Sequence, residues 1–241
     1  MRRITLVAGN ELRLMGVDPT PIVMLLVLPV CAALLLSDGF VGGASRAIPG
    51  LSLLFGLVGV TAIGLAFFRD HGWGTWDRFR ASPLHHRELI VAKVLPLAAL
   101  FLVQQTSLLL AGRFVLGMSW RGSLGWAMLL VLALVAVEVS LGLCLTAFCR
   151  TINQVNALGT IAGVLLAGIS GALAPLDRFP TPVQAVAHAL PPYWALDGFH
   201  RVIVTGEPIG VNVAVLTAFA VVLTMVALWR MRFDEPKRFY A

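Results

Sequence analysis

Few side chains in this sequence stand at spacings that support chemistry. Asp197, His200 and Arg201 fall within about one helical turn, His85 and His86 stand beside Glu88, and Glu138 lies alone in a long apolar run. A zinc site takes three or four protein ligands, and acid–base catalysis needs a second convergent group. An Asp and a His meet neither requirement. Asp197, His200 and Arg201 therefore read as a local charge network, and His85, His86 and Glu88 as solvated loop residues. The sequence contains no HExxH, no nucleophile elbow and no GxxxxGK[ST] loop. No catalytic residue and no metal ligand is assigned. Cys31, Cys144 and Cys149 lack CxxC spacing and imply no disulfide framework.

The elements that must carry these residues are read from composition. Of 241 residues, 59% are hydrophobic and 12% charged, against roughly a quarter charged in a soluble domain. A mean hydropathy of +0.89 leaves too little polar surface for a water-exposed globule. About 20 apolar residues cross a hydrocarbon core roughly 30 Å thick. Runs of that order occupy residues 21–37, 48–68, 94–112, 122–149, 152–176 and 208–229. Backbone groups must be paired in lipid, so the runs are helices and the fold class is an all-α membrane protein with six transmembrane helices. The first run follows twenty residues and precedes five more, without a small-residue cleavage pattern. It reads as a retained helix, not a signal peptide.

Charge gives the orientation. With both termini inside, Arg46, Arg113, Arg121, Arg178 and Arg201 lie outside, and the other thirteen of the eighteen Lys and Arg lie in the cytoplasm. This positive-inside bias assigns the +6 net charge to orientation and anionic headgroups, not to nucleic acid. Residues 1–16 carry Ile4, Ala8, Leu12 and Met15 on one helical face, with Leu6 and Glu11 on the wrong sides. They read either as an N-terminal interfacial helix or as a polar leader.

The longest charged stretch is the cytoplasmic loop 69–93. Thr75 predicts an N-cap, Asp77 complements the helix dipole, and Pro83 ends the helix at Ser82. Ser82 and Pro83 then cap and start the next helix. Trp76 and Phe79 share a face with Arg78 and Arg80 beside them. Such a pair fits either a docking knob for a partner groove or an aromatic belt in the headgroup layer.

The run Gly74, Thr75, Trp76, Asp77, Arg78, Phe79, Arg80, Ala81, Ser82 and Pro83, with Arg87, Glu88, Leu89 and Lys93, resembles the coupling-helix signature of ABC-2 type transporter permeases. Ser170, Gly171, Pro175, Leu176, Asp177 and Pro180, then Leu190, Pro191, Tyr193, Leu196 and Asp197, resemble the extracellular hairpin before their last span. Trp76 and Asp77 stand where Leu and Glu are more usual, and His200 where Arg is common. The resemblance covers the whole chain. It implies a bacterial plasma-membrane export channel made of two permeases, as a homodimer or with a close paralogue. Two copies of a separate ABC ATP-binding subunit hold ATP and Mg, and this chain binds no cofactor. It also implies a cytoplasmic coupling helix and an extracellular re-entrant helical hairpin at 177–207. Drug or antibiotic efflux is the expected activity; lipid, peptide or polysaccharide cargo is the alternative, and an intramembrane enzyme using Glu138 or Asp197 and His200 is the competing class.

Polar residues inside the spans complete the set. Glu138 lies roughly 18 Å along its helix from Arg150, and Gln104 and Gln105 about 17 Å from Lys93. Glu138 reads either as lining the transport pathway or as interhelical glue bonded to Gln104 or Gln105. Gly159, Gly163, Ala167 and Gly171 form a small-residue stripe for helix packing, within the chain or at a dimer seam.

Overall fold

The computed structural model describes residues 2–36, 43–82 and 85–231. Most of these residues are helical, with no β-strand among them. Among the described residues, five helices are long and apolar enough to cross a membrane, and a sixth crossing is reached if a bent N-terminal pair counts as one.

That pair is α1 (Arg2–Val17) and α2 (Thr20–Leu36), bent by 81°. Asp18 makes the corner. Its Oδ1 accepts from the Thr20 amide (3.1 Å) and hydroxyl (2.6 Å), and these bonds hold its carboxyl below the usual range. Within α2, residues Val23–Val27 form a π turn just before Pro29. Proline has no N–H to return to Leu25 and its ring crowds that carbonyl, so the helix widens there.

The second crossing, α3 (Ala44–Gly72), breaks at Val60 and continues beyond the expected end at residue 68. A short helix, α4 (Thr75–Ala81), then leads to α5 (His86–Phe114). The charged loop of 69–93 is therefore mostly helix. Next come α6 (Leu124–Phe148) and α7 (Ile152–Ile169), the latter ending well before residue 176. Residues 177–207 fold into α8 (Thr181–His188) and α9 (Pro191–His200), the latter extended by a π turn over Arg201–Thr205. The last crossing is α10 (Gly210–Arg230).

The most apolar stretches of α3 and α6 are 61% and 56% buried, whereas those of α7 and α10 are each 22% buried. Helices α3 and α6 thus form the centre, and α7 and α10 present most of their apolar surface outward. In a membrane that outward surface meets lipid or another chain, so exposed Leu, Val and Ile are compatible with stability.

Candidate functional site

The residues with unusual chemistry gather at three levels along the bundle. At the end carrying α4, Lys93 is completely buried. Its Nζ lies 2.7 Å from Glu11 Oε1 of α1, pairs with the Asp70 carboxylate at the end of α3, and donates to the Ala66 carbonyl at 3.1 Å. Arg69 closes the group, its guanidinium 2.5 Å from the other Glu11 oxygen. The Lys93 ammonium also sits 5.6 Å above the Phe67 ring and 5.8 Å from that of Phe79 on α4. Two cations face two carboxylates, and burial of charge on this scale is tolerated only with such pairing.

Helix α4 is rooted in this cluster. Gly74 turns with φ +66°, in the left-handed region open to glycine. Thr75 does not cap the helix. Gly74 takes that position, and the Thr75 hydroxyl donates instead to Asp70 Oδ1 at 2.8 Å. Trp76 turns inward, 8% exposed and stacked on His71 with ring centroids 4.2 Å apart. Phe79 is half-buried against the core. The two aromatic rings therefore pack within the chain, and Asp77, Arg78 and the 57%-exposed Trp73 face outward. Helix α4 ends at Ser82, whose hydroxyl donates to the Phe79 carbonyl at 2.7 Å. Pro83 and the Arg80 side chain lie outside the described residues. Helix α5 starts at His86, not at Pro83, where the Glu88 carboxylate accepts from the His85 amide at 3.1 Å.

At mid-depth, Glu138 of α6 is fully buried and accepts from Gln105 Nε2 of α5 at 2.7 Å. The Ser52 hydroxyl of α3 donates to Gln105 Oε1, and Gln104 Nε2 reaches the Ser52 carbonyl at 3.3 Å. These polar groups form a hydrogen-bonded chain across three helices. A Cβ on Gly56 would stand 1.9 Å from Glu138 Oε1, so glycine makes the room for this carboxyl. The small-residue stripe serves the same central helix. A Cβ on Gly163 would stand 2.8 Å from the Leu57 carbonyl oxygen and one on Gly159 2.4 Å from Thr61, while Ala167 is fully buried. Gly171 lies just beyond α7 at φ +94°. The stripe face of α7 is occupied by α3 of the same chain.

At the opposite end, Arg201 pairs with Asp197 at 2.8 Å and Glu207 at 3.4 Å, and Asn212 Nδ2 donates to Asp197 at 2.9 Å. Asp197 and His200 border a cavity of about 480 Å³ together with Arg46, Asp177, His188 and Tyr193. Burial, then the Asp197 charge, pushes the Tyr193 phenol up. Among the described residues no group of three or more His, Cys, Asp or Glu could hold a metal ion.

Sequence comparison decides the assignment of this arrangement. The ABC-2 type transporter family profile matches residues 3–204. The chain belongs to the ABC-2 type transporter family. It is 28% identical over 193 residues to the linearmycin resistance permease protein LnrN of Bacillus subtilis, covering 78% of this chain and 49% of that protein. It is 26% identical over 181 residues to the probable multidrug ABC transporter permease YbhS of Escherichia coli, covering 72% and 48%. To the inner membrane transport permease YhhJ of Escherichia coli it is 26% identical over 157 residues, 65% and 41% of the two chains. This ABC-2 chain thus spans about half the length of the curated relatives it matches, and no solved structure matches it. As a member of this family it is a multi-pass membrane protein.

The ABC-2 signature in the sequence marks α4, but the residues that anchor α4 came from further away. Glu11 stood out as a carboxylate on the apolar face of α1, and Lys93 stood in the signature itself with no partner assigned. The displaced Glu11 was the available signal; its partners are set by the folding of α1 onto α5.

Proposed function

We propose that this chain is the membrane subunit of an ATP-driven exporter in the bacterial plasma membrane, with both termini and α4 in the cytoplasm. Helix α4 is the coupling helix. Two copies of an ABC ATP-binding subunit hold ATP and Mg, and a second permease, identical or closely related, completes the channel. The small-residue stripe is filled by α3, so a second permease would meet the outward face of α7 at Leu158, Ile161 and Leu165.

The observation that carries this reading is the rooting of α4. Thr75, Trp76 and Phe79 join it to α3 and to Lys93 of α5, and Lys93 in turn holds Glu11 of α1. A force on the outer face of α4 then reaches two crossings and the interfacial helix as one body. The aromatic residues transmit the force, and the Asp77 and Arg78 face receives it.

The cargo is a hydrophobic or amphipathic compound of the drug or antibiotic type. Support comes from the relatives' names, which refer to linearmycin resistance and multidrug transport, and from the apolar bundle. The polar chain at Glu138 is interhelical glue in this reading, because its carboxyl is enclosed by α3 and α5.

The test is copurification of the ATP-binding subunit with variants of α4. Asp77→Lys with Arg78→Glu should weaken association and leave the melting temperature of the permease unchanged. Trp76→Ala should lower the melting temperature as well as association. Unchanged association in both would remove α4 from the interface. Stimulation of ATP hydrolysis by amphipathic antibiotics, and not by polysaccharide or peptide, would define the cargo.

A further inference from the structure

A second cavity, of about 720 Å³, lies between α5 and α10 with α6 as its floor. It faces sideways, since Leu95 of α5 and Met225 of α10, both more than half exposed, line it. Along α5 it runs from Arg87 to Ala98, and along α10 from Thr217 to Leu228. Each wall is about 16 Å long at 1.5 Å per residue. That is the depth of one leaflet, half of a hydrocarbon core roughly 30 Å thick.

The hydroxyls in the groove are already bonded. Ser140 Oγ contacts Thr224 Oγ1 at 2.8 Å and donates to the Ala220 carbonyl at 3.0 Å, and Thr217 donates to the Val213 carbonyl at 2.7 Å. The walls therefore offer an occupant apolar contact and no open donor. Among the described residues the one charged side chain lining the groove is that of Arg87, exposed at its end on the α4 side. An apolar slot one leaflet deep with a guanidinium at the interface complements a long hydrocarbon tail carrying an anionic head.

We infer that this groove binds one acyl chain of an anionic phospholipid, from the leaflet on the α4 side, with Arg87 holding the headgroup phosphate. Calling that leaflet cytoplasmic rests on the exporter reading; the binding itself does not. Arg87 lies in the first turns of α5, six residues before Lys93, so an occupied groove braces the helix that roots the buried ion pairs.

Native mass spectrometry of the purified full chain, titrated with phosphatidylglycerol or phosphatidylcholine, tests the site without any ATP-binding subunit. Failure here would leave the exporter reading untouched. The wild-type chain should retain phosphatidylglycerol in preference to phosphatidylcholine. Arg87→Gln should weaken phosphatidylglycerol binding about fivefold, the worth of one basic residue at a membrane surface, and leave phosphatidylcholine unchanged. Leu95→Trp, which fills the groove from its rim, should reduce retention of both lipids while the chain elutes as a folded species. Equal retention of the two lipids by the wild type, or undiminished phosphatidylglycerol binding in Arg87→Gln, would overturn the assignment. So would tight retention in Leu95→Trp, because the lipid would then sit elsewhere.

Discussion

The buried polar groups around Lys93 and those around Glu138 solve the same problem in different ways. Around Lys93, two cations and two carboxylates from α1, α3 and α5 balance one another, with Phe67 and Phe79 over the ammonium. Around Glu138, a single carboxyl is held by an amide, and that amide by a serine hydroxyl. The first arrangement depends on full charges and ties α1 to α3 and α5 at the membrane edge. The second depends on hydrogen bonding and joins crossings that already pack along their length. Loss of a member should therefore be felt more strongly at Lys93, and as altered coupling as well as altered stability.

Lys93→Met breaks this comparison most severely. The substitution keeps apolar volume but leaves Glu11 and Asp70 facing one another with only Arg69 between them. Removing one partner of a buried ion pair costs about 3–5 kcal/mol. The expected outcome is a large fall in the melting temperature in detergent. In any folded fraction, ATP turnover should uncouple from cargo. Lys93→Arg, which keeps the charge, should recover part of the stability. A Lys93→Met chain as stable as wild type would show that the charges are not coupled as their distances indicate.

Gly56→Ala attacks the second region by volume. Its Cβ would fall 1.9 Å from Glu138 Oε1 and 2.9 Å from Gln105 Nε2, so the Glu138–Gln105 bond must break or the helices separate. Overpacking of this kind costs about 1–3 kcal/mol. Glu138→Ala in the same chain removes the obstructing atoms, and the two substitutions should be less than additive when melting temperatures are compared. Strict additivity would mean that Gly56 is held for another reason.

How far these regions were legible in the sequence follows from what sets them. Apolar length sets the spans, and it located every long crossing, although Ala44–Gly72 and His86–Phe114 extend past their apolar runs. Charged residues such as Arg69, Asp70 and Lys93 fall in those extensions; hydropathy assigned them to a loop, whereas ion pairing keeps them helical, with Asp70 and Lys93 buried and Arg69 partly so. Local rules placed the end of α4 at Ser82, because a pre-proline constraint is a nearest-neighbour effect. They missed its start. Thr75 had a stronger partner in Asp70, one turn back on a different helix. The inward turn of Trp76 was equally hidden, since a helical face shows which residues travel together but not which neighbour they meet. The Gln105–Glu138 pair was one of two alternatives in the sequence, and helix depth alone put both residues near mid-membrane.

Glu138→Gln makes the smallest change and separates the two regions most sharply. Glutamine matches glutamate in size, and its Oε1 can still accept from Gln105 Nε2, so the interhelical hydrogen bond survives with one oxygen replaced by an amide. Polar contacts between membrane helices contribute on the order of 1 kcal/mol, and only part of that is at risk here. The melting temperature should shift by no more than a few degrees. Transport should continue for neutral and cationic cargo alike, because the carboxyl is enclosed by Ser52, Gly56 and Gln105 and does not face a passing solute. The informative measurement is the ratio of cationic to neutral transport in proteoliposomes. A ratio equal to that of wild type identifies residue 138 as a hydrogen-bonding partner, in contrast with Lys93, where the charge itself is required. A selective fall in cationic transport would instead mean that the Glu138–Gln105 bond opens during the cycle and exposes the carboxylate to cargo, placing Glu138 among the groups that choose the substrate.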